Sequence, residues 1–297
     1  MFTVIDGGLS TALEEVGADI SGPLWTARAI IESPDLLERA HRSFVEAGSD
    51  IIATASYQCG ANEFESLGMS NNDASAALAS TVTIARRAVR GSSVRVAASV
   101  GPFGAMLANG SEYNGRYGVS WSSVEEYHRS KLRVLVDAGA DLVAVETIPL
   151  ADEARLIAEI LEELGAPPAW FSFGAASGSL TYGGDTLVSA VGAVTGYANL
   201  VAVGVNCAHP DVVDAAVETI SGVSNGSPSA APIIAYPNHG RSWDAVSRQW
   251  VGVGVNSFET SRIEALVSRG ATYIGGCCGV GAAGIARLVA IRDDAVA

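Results

Sequence analysis

Eight short apolar runs recur along the chain, and longer segments with helical spacing lie between them. The runs are Val4–Asp6, Asp50–Ala55, Val94–Val100, Asp141–Val145, Ala169–Phe173, Leu200–Asn206, Pro232–Tyr236 and Thr272–Gly275. Several are continuous rather than alternating, which is the pattern of strands buried on both faces. The junctions repeat too. EAGSDII, DAGADLV and SRGATYI each read as a helix end, a glycine and a buried strand, so Gly48, Gly139 and Gly270 are expected at left-handed helix stops. Ser33-Pro34 opens one predicted helix, and Ser123 with Glu126 stands in capping-box spacing at the start of another. Eight strands alternating with helices predict an α/β fold, a (β/α)8 TIM barrel, with a doubly wound open sheet as the runner-up. No Gly-, Ser- or Pro-rich linker divides the 297 residues, so residues 1–297 are read as a single domain.

Composition excludes several classes of function. A net charge of −14 argues against nucleic acid and anionic membrane as partners. No apolar run reaches the roughly 18 residues of a membrane span. The N-terminus enters a strand-like run at once, with no basic region ahead of an apolar one, so a cytoplasmic protein without a signal peptide is expected. In such a reducing compartment, clustered cysteines more often bind metal or do chemistry than cross-link. The one lysine, Lys131, lies in a helix-like stretch.

Active sites of such barrels lie at the C-terminal ends of the strands. Strand one ends in Asp6-Gly7-Gly8, strand two in Ser56-Tyr57-Gln58 and strand four in Glu146-Thr147. Strand six ends in Asn206-Cys207, strand seven in Pro237-Asn238 and strand eight in Cys277-Cys278. Three of the four cysteines therefore converge on one mouth. Three thiolates with an open position suit a catalytic rather than a closed structural Zn2+ site. Gly275, Gly276 and Gly279 let the backbone turn so that both vicinal thiols face one ion. Cys59 sits nearby or packs, and His209 is a weaker candidate for a fourth ligand.

The segments DGGLSTALEEVG, GPLW, TASYQ, SVGPFGAMLANGSEY, GADLVAVETIP, WFSF, GVNC, YPN and IGGCCG occur in that order. Together they resemble the zinc-dependent homocysteine S-methyltransferase family, over about residues 3 to 292. The pairing of GVNC with GGCCG is the most specific part. The resemblance implies zinc on Cys207, Cys277 and Cys278, with homocysteine sulfur as the fourth ligand. It also implies methyl transfer from a sulfonium donor to give methionine. Asp6 and Glu146 become candidates for the ammonium of homocysteine, and the amides around Gly7, Gly8 and Leu9 for its carboxylate. Asn206 is expected to support the ligands rather than bind the metal. Trp25 and Tyr57 are candidates for the donor cation, because aromatic faces attract onium groups.

The segment Ser99–Tyr117 resembles the branch that uses S-methylmethionine. Thr147 stands where the betaine-using branch carries a tyrosine. S-Methylmethionine is therefore the expected donor and S-adenosylmethionine the second. The loops Gly101–Ser122 and Pro237–Phe258, with Tyr113, Tyr117, Trp243 and Trp250, are expected to act as a lid. A monomer or small homo-oligomer is expected. The competing readings are a vicinal-dithiol redox protein, a phosphate-binding barrel, and a zinc barrel that binds an amino acid without catalysis.

Overall fold

The structure is a computed structural model that describes every residue except 21, 23, 24, 225–230, 245–248 and 296–297. Ten strands are present among the described residues: β1 Thr3–Val4, β2 Ile51–Ala53, β3 Arg95–Val100, β4 Leu142–Ile148, β5 Ala169–Gly174, β6 Leu200–Asn206, β7 Ile233–Tyr236, β8 Ser242–Asp244, β9 Gln249–Val251 and β10 Ala271–Ile274. Eight form one sheet in the order β1-β10-β7-β6-β5-β4-β3-β2, and every pairing in it is parallel. The two edges meet. Ile5 bridges Ile51 in parallel, and the Asp6 amide donates to the Ile51 carbonyl at 3.1 Å. The sheet is thus a closed barrel wrapped by helices, the (β/α)8 fold, and the open-sheet alternative is set aside.

All eight expected apolar runs carry barrel strands, and β8 and β9 pair antiparallel in a separate two-stranded sheet after β7. Parallel strands make this chain easy to parse, because both faces are covered and the runs stay apolar. Inside the barrel, Ile5, Ile51, Leu142, Trp170, Ile234 and Tyr236 fill one core. A second and larger core lies between strands and helices, with Phe44, Phe64, Phe171 and Phe173 fully buried. Gly48, Gly139 and Gly270 take positive φ angles of 93°, 79° and 96° at the helix stops, where a side chain would be strained.

Two local expectations need correction. The helix expected to open at Ser123 runs over Trp121–Asp137, and its cap is Ser120, whose hydroxyl accepts from the Ser123 amide at 3.3 Å. The cap sits one turn earlier because Ser123 itself supplies the amide being capped. Strand four does not end at Glu146-Thr147. It continues to Ile148 through a register shift between Val145 and Ile148, with Thr147 at φ 60°. The long loop after β3 has structure of its own. It holds a helix at Phe103–Leu107 and a 3-10 turn at Ser111–Tyr113.

Candidate metal centre and substrate pocket

The loops at the strand ends enclose a cleft of about 1200 Å3. That exceeds the roughly 300–1,000 Å3 that holds one drug-sized ligand, so two amino-acid-sized substrates fit. Asp6, Gly7, Gly8, Leu9, Tyr57, Glu146, Asn206, Cys207, Cys277 and Cys278 all line it. The side chain of Trp25, at the start of the helix Trp25–Glu32, lies outside the described residues.

The cysteines arrive from two directions. Cys207 follows β6 in a left-handed conformation, φ 51°. Its amide donates to the Tyr236 carbonyl at 3.1 Å, and its carbonyl accepts from the Tyr182 hydroxyl at 3.1 Å. Cys277 and Cys278 follow β10, with the Cys277 amide on the Pro237 carbonyl at 2.8 Å. The Cys278 carbonyl takes the His239 amide at 3.0 Å. Glycines bring the next loop against them. A Cβ on Gly7 would stand 2.2 Å from the Val280 carbonyl, and one on Gly8 2.7 Å from the Cys277 carbonyl. The strand-one glycines are therefore required by close backbone approach.

Cys207 Sγ lies 3.7 Å from Cys278 Sγ, and Cys277 Sγ lies 4.0 Å from it. All three sulfurs fall within 4.8 Å of one another. Three thiolates about 2.3 Å from a tetrahedral ion are separated by about 3.8 Å, so the donor set fits a metal as it stands. Thiol hydrogen bonds from Cys207 and Cys277 already hold the Cys278 thiol well below its ordinary value. His209 is not part of this group among the described residues. Its ring faces Asp211, with Nδ1 accepting from the Asp211 amide at 3.2 Å. Cys59 packs in the outer core, where burial pushes its thiol up to about 12.

Two carboxylates share the cleft. Asp6 ties β1 to β2, accepting the Ala53 amide at 2.8 Å. Glu146 accepts from the Ser99 hydroxyl and from the Tyr236 hydroxyl, the latter at 3.1 Å. Tyr236 is itself held by Trp170 Nε1 at 3.1 Å and by Ser172. Burial pushes Glu146 up to about 7, and burial together with the Glu146 charge raises Asp6. Two buried acids in one cleft, one raised by the charge of the other, favour a cation beside them. The backbone candidates narrow. The Gly8 amide is taken by the Val280 carbonyl at 2.9 Å, which leaves Gly7 and Leu9. Asn206 holds no ligand position. It is paired with Thr147 by two hydrogen bonds of 2.8 Å.

Tyr57 lies flat on Gly101, where a Cβ would meet its ring at 2.7 Å. Lys131 was not expected here. It is buried, donates to the Tyr57 carbonyl at 2.8 Å, and is pushed down to about 8 by burial. The aromatics expected in the lids separate. Tyr113 faces the pocket and packs edge-on against Tyr182 with ring centroids 5.3 Å apart. Tyr117 turns away and donates to buried Glu153, which also takes the Phe103 amide at 2.7 Å and pairs with His128 at 2.8 Å. These anchors were invisible in sequence, because Glu153 reads as an ordinary helix carboxylate. The side chains of Trp243 and Trp250 lie outside the described residues.

The sequence matches the family model described as homocysteine S-methyltransferase over residues 3–291. It is 38% identical to homocysteine S-methyltransferase 2 of Arabidopsis thaliana, over 93% of this chain and 89% of that protein. It is 37% identical to selenocysteine Se-methyltransferase of Brassica oleracea var. italica, over 93% and 85%. Among solved structures, the metallated form of the homocysteine methyltransferase MmuM from Escherichia coli superposes with a TM-score of 0.85 at 32% identity, covering 97% of this chain and 96% of that one. Barrel, cysteine triad and whole-length matches agree: the chain belongs to the homocysteine S-methyltransferase family.

Proposed function

We propose that this chain, folded as one domain, transfers a methyl group from a sulfonium donor to the sulfur of homocysteine, with Zn2+ held by Cys207, Cys277 and Cys278. The observation that carries the reading is the placing of three sulfurs 3.7–4.0 Å apart along two contacts, in the same cleft as two buried carboxyl groups, Asp6 and Glu146. When bound, zinc supplies a Lewis acid that keeps the substrate thiol ionised near neutral pH.

The chain's own residues position the reaction. Asp6 and Glu146 receive the ammonium of homocysteine, and the Gly7 and Leu9 amides face its carboxylate. Tyr57, held by Lys131 and Gly101, offers an aromatic face to the sulfonium. The homocysteine sulfur forms a bond to the methyl carbon as the donor's carbon–sulfur bond breaks, and the donor leaves as a neutral thioether. No proton moves in that step, because the thiol proton departs on binding. In-line alignment is then the main demand on the protein. A sulfonium is a better leaving group than a quaternary ammonium, so S-methylmethionine is the preferred donor, then S-adenosylmethionine. A dithiol redox role would leave Asp6 and Glu146 without a purpose.

The test is methionine formation from homocysteine with S-methylmethionine, S-adenosylmethionine and betaine at equal concentration. The order just given is expected, and faster turnover with betaine would refute the donor assignment.

A further inference from the structure

Glu112 is a third carboxylate in the cleft, and the residues assigned to homocysteine do not use it. It belongs to the 3-10 turn Ser111–Tyr113 and is 8% exposed. Its Oε2 is shut off from water, and no described group donates to it. A buried carboxylate oxygen without a donor is costly unless something that binds there completes it. The side chain lines the same cleft as the cysteines, close enough for its charge to act on Tyr57 and for the charge of Cys278 to act on it.

Its position is rigid. A Cβ on Gly104 would stand 2.5 Å from the Glu112 amide nitrogen, so the turn sits directly on the helix Phe103–Leu107. That helix and Tyr117 are both held by Glu153. The next residue, Tyr113, is braced on Tyr182, whose hydroxyl holds the Cys207 carbonyl. Folding thus fixes a buried carboxyl with one unsatisfied oxygen in the cleft that the cysteines line.

Resting on the function proposed above, we infer that Glu112 is the donor-side anchor: it pairs with the α-ammonium of a sulfonium that carries an amino-acid head. Two substrates with ammonium groups enter one cleft. Asp6 and Glu146 take one, and Glu112 takes the other. Arg241, exposed and lining the cleft, is the guanidinium there for the carboxylate of the same head. Betaine has no N–H to give Glu112, so the same residue selects against it.

The experiment compares wild type with Glu112→Gln, both zinc-loaded, using S-methylmethionine as donor. KM for S-methylmethionine should rise about tenfold or more, the loss of one charge-assisted contact. Homocysteine affinity by calorimetry and zinc content should stay as in wild type, and the unfolding midpoint should hold or rise because a buried charge with an unsatisfied oxygen is gone. An unchanged KM, a parallel loss of homocysteine affinity, or a fall in the midpoint would each overturn the inference. Should the Gln protein fold poorly, Glu112→Asp withdraws the charge by one methylene. A rise in KM for S-methylmethionine alone is then expected, and an equal change for homocysteine overturns the inference. If wild type itself yields no methionine, the reaction assigned to the site falls and the anchor with it. An active wild type with an indifferent Gln variant refutes the anchor alone.

Discussion

Asn206 and Thr147 exchange two hydrogen bonds: the Thr147 amide donates to Asn206 Oδ1 at 2.8 Å, and Asn206 Nδ2 donates to Thr147 Oγ1 at 2.8 Å. Each neighbours a residue of the site in sequence, Thr147 next to Glu146 and Asn206 next to Cys207. Thr147 and Cys207 both hold positive φ, 60° and 51°, a conformation that non-glycine residues keep only when their surroundings enforce it. The pair locks the proposed ammonium anchor to a proposed metal ligand.

Asn206→Ala should therefore weaken both functions together. It leaves the buried Thr147 amide without its acceptor, at a cost of about 1–3 kcal/mol in stability. Losing such a support typically lowers metal affinity about 10–100-fold. Denaturant unfolding and competition with a zinc chelator measure the two effects.

Metal content should track the triad alone. Replacing Cys207, Cys277 or Cys278 by Ser should abolish stoichiometric zinc, whereas Cys59→Ser and His209→Ala should retain one ion per chain. Stripping the metal from wild type should lower its unfolding midpoint, because an ion that binds only the folded chain stabilises it. Atomic absorption and thermal melts decide this, and full zinc in Cys277→Ser would refute the site.

The pH dependence of the metal-free protein has a defined sign. The folded value of Glu146, about 7, lies above its ordinary 4.5, chiefly through burial. As pH rises through that window the unfolded chain loses its proton first, so the Glu146 contribution is complete below about 4.5 and lost by about 7. Asp6 acts in the same direction. His41, pushed down to about 4 by burial, acts the other way as pH falls from 6.5. The useful quantity is thus the difference between wild type and Glu146→Gln. The stability advantage of the Gln variant should grow from pH 4.5 to 7 and then level off, as followed by urea unfolding across that range.

What could be read in the sequence follows from how local each signal is. Buried parallel strands advertise themselves as apolar runs, and Gly48, Gly139 and Gly270 mark helix stops by a backbone need that only glycine meets cheaply. Cys277-Cys278 stood out because adjacency is visible without a structure. Partnerships across the barrel were not visible. Lys131 reaches Tyr57 across 74 positions and Tyr236 reaches Glu146 across 90, and neither shows a spacing that announces it. Glu112 lies within the segment Ser99–Tyr117, but its unsatisfied oxygen appears only when the turn is packed on Gly104.

The most direct measurement supplies homocysteine and S-methylmethionine to the zinc-loaded protein and counts methionine. Two methionines should form for each homocysteine consumed, one from acceptor and one from donor, and Cys277→Ser should form none. A zinc-replete wild type that consumes no homocysteine, or a Cys277→Ser protein that turns over as fast as wild type, would contradict the assignment of this site to methyl transfer.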